Sequence, residues 1–183
     1  MGVLRLLGVL LALAAPAAAQ NTWVGGAVGD WHEPANWSAG VPAFDDVLID
    51  ADALVIAYAT NPAVNVASVT LGDVAGTFAP VLRLERGSHL GLGVLHPRAA
   101  LQLDTTQLMT AGDLFLTAGS SVAVWTAPSA AGGGAARFNV AGTFSGAPGA
   151  TVTARGQGYA AATGPGAGTA GSVASGGGAG GHG

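Results

Sequence analysis

Apolar residues alternate with polar or small residues in short stretches along the chain after residue 20. These pairs are Val47 and Ile49, Leu54 and Ile56, Val64 and Val66, Val69 and Leu71, Leu82 and Leu84, Leu90 and Leu92, Leu101 and Leu103, Leu114 and Leu116, and Val122 and Val124. Successive side chains of a strand point to opposite faces, so each pair occupies one face of a strand. No sustained i, i+3, i+4, i+7 stripe of an amphipathic helix follows residue 20. The pattern predicts an all-β fold of many short strands.

A longer motif recurs among these pairs. The run Leu82-x-Leu84-x-x-Gly87-Ser88-x-Leu90-x-Leu92 returns 32 residues later from Leu114, and a fainter copy begins 30 residues after that at Phe144. Self-similarity at such a period is typical of stacked arrays, in which each coil buries an apolar stripe against its neighbours. We therefore predict a right-handed parallel β-helix, a solenoid whose glycines sit where the chain turns.

A β-sandwich is the alternative fold, with Gly87-Ser88 as a two-residue hairpin turn. That turn would pair Leu84 with Gly91, so Leu84 and Leu90 would point to opposite faces and half of the leucines would lose their core. A hairpin loop of odd length would restore the pairing. The sandwich therefore stays open, and the solenoid is favoured.

The first 19 residues have the pattern of a secretory signal peptide. Arg5 precedes the apolar run 6–15, and Ala17-Ala18-Ala19 supplies the small residues of a cleavage site. The run is too short for a membrane span of roughly 20 residues. We expect cleavage before Gln20, no membrane span afterwards, and a secreted or cell-surface location.

The rest of the chain divides by composition into three zones. Residues 20–46 are rich in aromatic and turn-forming residues, residues 47–155 carry the strand pattern, and residues 156–183 are Gly-rich and of low complexity. We expect an aromatic N-terminal cap, a β-solenoid and a flexible or truncated tail, respectively.

The segment 21–50 carries a motif with the skeleton Trp23, Gly25, Trp31, Asn36-Trp37, Gly40, Val41-Pro42 and Asp46-Val47-x-Ile49. It resembles the opening segment of bacterial parallel β-helix surface proteins and autotransporter-like passenger proteins. The Gly-rich stretch from Arg155 to Gly166 is similar to the Gly-rich part of such proteins. The resemblance implies a structural or adhesin-like surface protein.

Trp23, Trp31, Trp37 and Pro42 are expected to form a structural cap. The terminal coil of a solenoid exposes core and unpaired strand edges, which aromatic rings cover and Pro blocks. The functional alternative is glycan contact through stacking on Trp31 and Trp37. We favour the cap, because clustered aromatic residues beside Gly and Pro turns more often belong to a core.

Composition excludes several classes of function. The chain has no Cys, no Lys, six Arg and a net charge of −4, so it has no basic stripe for a nucleic acid and no thiolate metal site. The partners that remain are surface glycans or other cell-surface proteins.

No catalytic, metal or cofactor residues are predicted. Asp45, Asp46, Asp50 and Asp52 cluster near the first strand, where a solvated edge is favoured over glycoside hydrolysis or calcium binding. No pair of histidines has zinc-site spacing, and Gly-Ser-His at 87–89 is better explained by its place in the repeat than as a nucleophile. Asn36-Trp37-Ser38 fits the N-glycosylation pattern, which matters only in a eukaryotic secretory pathway.

These observations favour a structural or adhesin-like surface protein without catalytic activity. Two alternatives remain: a fragment of a polysaccharide-active β-helix enzyme, and a carbohydrate-binding module that uses exposed Trp side chains.

Overall fold

The structure, a computed structural model, describes residues 20–104, 108–125 and 137–153. The predicted signal peptide 1–19 and the tail 156–183 lie outside these residues. The first sheet, sheet A, contains β1 (Asn21–Thr22), β3 (Asp46–Ile49), β5 (Asn65–Leu71), β7 (Ser88–Leu95), β9 (Leu108–Leu116), β11 (Arg137–Val140) and β12 (Phe144–Gly146). Sheet B contains β2 (Val28–Asp30), β4 (Leu54–Ala57), β6 (Val81–Leu84), β8 (Ala100–Asp104), β10 (Ser121–Trp125) and β13 (Thr151–Thr153). A short 3-10 helix, Pro34–Asn36, follows β2.

The chain passes from one sheet to the other along most of its course. The order in sheet A is β1-β3-β5-β7-β9-β11, with β12 also on β9, and the order in sheet B is β2-β4-β6-β8-β10-β13. All pairings between these strands are parallel. The all-β prediction is confirmed, and one passage of the chain through both sheets is called a coil below.

The hairpin interpretation of Gly87-Ser88 is wrong. The strands on either side of it, β6 and β7, belong to different sheets and do not pair with each other. Antiparallel hairpins would put sequence neighbours side by side, whereas here each strand pairs with strands from the preceding and following coils.

The core lies between the sheets and is built from columns of residues in register. In sheet A one column runs Val47, Val69, Gly93 and Leu114. In sheet B the corresponding column runs Val55, Leu82, Leu101 and Val122. All eight residues are buried. Each Val or Leu side chain removed from water contributes about 1.5–3 kcal/mol, so the columns are the main stabilising element.

The register corrects the first repeat offset and confirms the second. Leu82 pairs with Leu101 in sheet B, whereas Leu114 lies in sheet A, so the 32-residue offset compares opposite sheets. Leu114 does pair with Phe144, at the 30-residue offset. Both sheets use the same alternation, so a motif from one sheet can match a motif from the other by chance.

Sheet A contains a repeated irregularity that shifts the alternation. The inward positions step by three at one point in each coil, from Val66 to Val69 and from Ala111 to Leu114, and the register skips the residues between. An extra residue in a strand is a bulge, which bends the strand. In the last described coil the strand is divided at this place into β11 and β12.

Three turns of one kind are stacked where the chain leaves sheet A for sheet B. The N–H of Ala99, Ser120 and Ala150 each donates to the carbonyl oxygen three residues earlier. Their third positions, Arg98, Gly119 and Gly149, have φ values of 68°, 79° and 90°. A type II turn requires this left-handed conformation, so Gly119 and Gly149 do mark corners as predicted. Gly87 has no positive φ and does not.

Candidate functional site: the tryptophan end and the outer face of sheet A

Three tryptophan side chains pack together at the end of the stack where β1 and β2 are the edge strands. Trp23, Trp31 and Trp37 are all buried. The Trp37 ring lies edge-on to Trp23 at 5.1 Å and to Trp31 at 4.7 Å between centroids. The indole N–H of Trp37 donates to the Trp31 carbonyl oxygen at 2.7 Å, and that of Trp23 to Gly26 at 3.3 Å. The edge-on geometry adds to the burial of apolar area, and the indole nitrogens have partners.

This burial contradicts the premise of glycan contact through Trp31 and Trp37. Stacking on a sugar needs an exposed ring face, whereas Trp31 has no exposed surface and Trp37 is 4% exposed. Pro42 is also buried, just before β3. The sequence alone cannot separate the two interpretations, because a buried and a solvent-facing Trp look the same in a motif.

Asn36 fastens the tryptophan end. Its side-chain amide donates to the Asp30 carbonyl oxygen at 2.9 Å. A Cβ placed on Gly25 or Gly29 would lie within 3 Å of this amide and of the Trp23 ring. Because the nitrogen that would carry an N-linked glycan is bonded and packed, the geometry favours a structural role for Asn36.

The acidic residues near β3 are engaged separately rather than gathered around one point. Asp45 accepts from the Ala43 N–H at 3.1 Å, Asp46 from the Ser68 hydroxyl at 2.6 Å, and Asp52 from the Ala79 N–H at 2.7 Å. Within the described ranges, no three His, Asp or Glu side chains lie close enough together to hold a metal ion. These partners give the carboxylates local structural roles in turns and strand pairing.

Ser88 and His89 point to opposite faces of β7. Ser88 is buried and its hydroxyl donates to the Arg86 carbonyl oxygen at 3.0 Å. His89 is exposed, and its Nδ1 lies 2.9 Å from the Thr110 hydroxyl. Adjacent strand residues diverge in this way, so the two side chains do not form a nucleophile and base.

A polar column on the outer face of sheet A was not predicted from the sequence. Asn65, His89, Thr110 and Asn139 stand in register on four successive coils, and we call them the polar ladder. The signal was present as polar residues next to the inward Val66, Leu90, Ala111 and Val140. It could not be recognised without knowing which strands pair.

Phe44 is an exposed aromatic side chain beside this ladder. Its N–H donates to the Asn65 carbonyl oxygen at 2.9 Å, its φ is 62°, and its side chain is 80% exposed. A bulky residue rarely adopts this left-handed conformation, which costs roughly 1–2 kcal/mol.

No protein-family model matches the chain, and no curated protein or solved structure shows significant similarity to it. Of the residues that the structure describes, none belongs to a helix long and apolar enough to cross a membrane.

Proposed function

We propose that the protein is a right-handed parallel β-helix that is exported and works at the cell surface as a structural or adhesin-like element. The observation that carries this proposal is the continuous parallel stack, which presents regular outer faces and engages its acidic residues one by one. A rigid stack of this kind suits display and contact. The proposal also includes the absence of catalytic activity.

The β-helix part of the proposal is supported by the order of the strands. Chain segments leave sheet A, add a strand to sheet B and return to sheet A beside the strand they left. Parallel strands of one sheet joined by such a crossover are right-handed in the great majority of proteins, which favours that hand here.

The cap part is supported by the position of the tryptophans. β1 and β2 each have a neighbour on one side alone, so the core would otherwise meet solvent at this end. Buried Trp23, Trp31 and Trp37 belong to the same core cluster as the strand residues. Closing this end removes an open edge at which other chains could pair.

The location is tested by following the full chain in its source cells. We expect a mature protein beginning at Gln20, identified by N-terminal mass spectrometry, and digestion of this protein by protease added to intact cells. Deletion of residues 2–19 is the control and should leave the product inside. An unprocessed chain that resists protease on intact cells would contradict a surface role.

The enzymatic alternative is tested on the same material. Purified full chain incubated with pectin or alginate should release no new chain ends, because the carboxylates are engaged separately. Bond cleavage that is lost in Asp46→Ala would contradict the non-catalytic proposal.

A further inference from the structure

The outer face of sheet A carries a column almost without side chains, immediately beside the polar ladder. Ala67 stands opposite Gly91, and Gly91 opposite Gly112, at the bulge of each coil. Gly142 continues the column, because its N–H donates to the Gly112 carbonyl oxygen at 2.6 Å. Ala67 and Gly142 are exposed and the two glycines between them are half-buried, so this glycine column lies at the surface.

Close stacking of the backbone explains why the column is bare. A Cβ on Gly91 would meet the Ala67 carbonyl oxygen, and a Cβ on Gly112 would meet the Gly91 carbonyl oxygen, both well inside contact distance. Glycine is therefore needed for packing alone. A consequence is that a ligand can reach the backbone here without meeting side chains.

The polar ladder provides neutral hydrogen-bonding groups at regular intervals. Neighbouring strands lie about 4.8 Å apart, so the four residues span about 14 Å along the stack. Thr110 donates to the Ser88 carbonyl oxygen at 3.4 Å, so the 2.9 Å contact with His89 has the imidazole Nδ1 as donor. The His89 Nε2 is then an acceptor, beside the amides of Asn65 and Asn139.

The column on the other side of the glycines carries negative charge. Asp46, Ser68, Leu92 and Asp113 stand in register there. Asp46 and Asp113 each use one oxygen within the protein, to the Ser68 hydroxyl and the Thr143 N–H. Two carboxylates along this edge disfavour a polyanionic ligand and leave neutral ligands unaffected.

We propose that the polar ladder and the glycine column together bind a linear, neutral polysaccharide that lies along the stacking axis. The ladder hydrogen-bonds sugar hydroxyl groups on successive coils, and Phe44 supplies an apolar contact at the Asn65 end. An exposed aromatic held in a strained conformation is typical of a ligand contact. This inference rests on the proposed surface role and adds the class of ligand to it.

The test is affinity electrophoresis of the full chain in gels that contain one glycan at a time. The neutral probes are xyloglucan, glucomannan and mixed-linkage β-glucan, and the polyanionic probes are polygalacturonate and alginate. The ladder variant combines Asn65→Ala with His89→Ala, both at exposed positions. The matched control combines Ser121→Ala with Thr151→Ala on the outer face of sheet B.

We expect a neutral glycan to retard the protein and the ladder variant to bind it about tenfold more weakly, since two hydrogen-bonding groups are removed. The control variant should bind like the unaltered chain, and both variants should keep its melting temperature. Equal binding by the ladder variant, retardation by polyanions alone, or no retardation by any probe would overturn the inference. The export experiment is independent, so a failure here is distinguishable from a failure of the surface role.

Discussion

The two ends of the described stack treat the same core columns in opposite ways. At the first coil the core is closed by buried tryptophans. At the last coil, Phe144 continues the column of Leu114 and Val152 continues the column of Val122. Leu114 and Val122 are 0% and 2% exposed, whereas Phe144 and Val152 are 46% and 53% exposed.

This difference shows that burial in the stack is supplied by neighbouring coils. A position in register with the core is buried when a coil or a cap lies on each side of it, and it is half exposed when one side is open. Stability in such an array is roughly the sum of the contributions of each coil and its interfaces with its neighbours. The tryptophan end should therefore matter far more than the last described coil.

The largest expected effect comes from removing the most buried tryptophan. Trp31→Ala leaves a cavity beside Trp37, whose ring centroid is 4.7 Å away, and should lower the free energy of unfolding by about 3–5 kcal/mol. Phe144→Ala at the open end is the matched control and should cost about 1 kcal/mol or less. Both are measured by urea denaturation, and equal losses would contradict the contrast between the ends.

The next effect concerns a residue with coils on both sides. Gly112→Ala places a Cβ against the Gly91 carbonyl oxygen, so the stack must shift at a cost of about 1–3 kcal/mol. Gly26→Ala, in the loop of the first coil, has no atom within 4 Å of the new Cβ and should change stability by less than about 0.5 kcal/mol. A silent Gly112→Ala would mean that the coils do not stack this closely.

A smaller effect should have the opposite sign. Phe44→Gly relieves the left-handed strain at a largely exposed residue and should raise stability by about 1 kcal/mol. Arg98→Gly relieves a similar strain, but it removes two guanidinium hydrogen bonds to Gly76 and Thr77, so its net change should be near zero. Thermal melts of the two variants measure the difference, and a loss of stability in Phe44→Gly would show that its ring packs on the protein.

The smallest effect depends on pH and lies in the turn that follows β5. The Thr77 side chain and backbone hydrogen-bond the Asp73 carboxylate and lower its pKa below the ordinary range. A lowered pKa in the folded state stabilises the protein above the unfolded pKa of about 4, and this contribution is lost as the pH falls further. Asp73→Asn should therefore flatten the loss of stability between about pH 4 and pH 2, seen in denaturation midpoints. An unchanged slope would show that Asp73 does not contribute to it.

The strand content and most inward positions could be predicted from the sequence, because alternation depends on local geometry. Two inward pairs were wrong in phase. In β4 the core positions are Val55 and Ala57 rather than Leu54 and Ile56, and Leu92 points outward after the bulge at Gly91. The local pattern carries no information about a bulge or about which strands pair.

The candidate site was harder to predict for the same reason. Trp31 and Trp37 were recognised as important, but their burial depends on packing between β1, β2 and the loop that follows. The polar ladder joins residues from four coils of unequal length, so no fixed sequence spacing reveals it. Pairing, rather than residue type, defines that surface.

The most direct measurement of the parallel stack is a distance along one outer column. Val28 and Thr151 end a column of sheet B that includes Leu54, Val81, Ala100 and Ser121. The chain has no Cys, so Val28→Cys with Thr151→Cys places two spin labels at chosen, exposed sites. Five strand spacings predict a separation near 24 Å by pulsed electron paramagnetic resonance. A single distribution centred there supports in-register stacking, whereas a separation beyond about 35 Å, longer than seven such spacings, would contradict it.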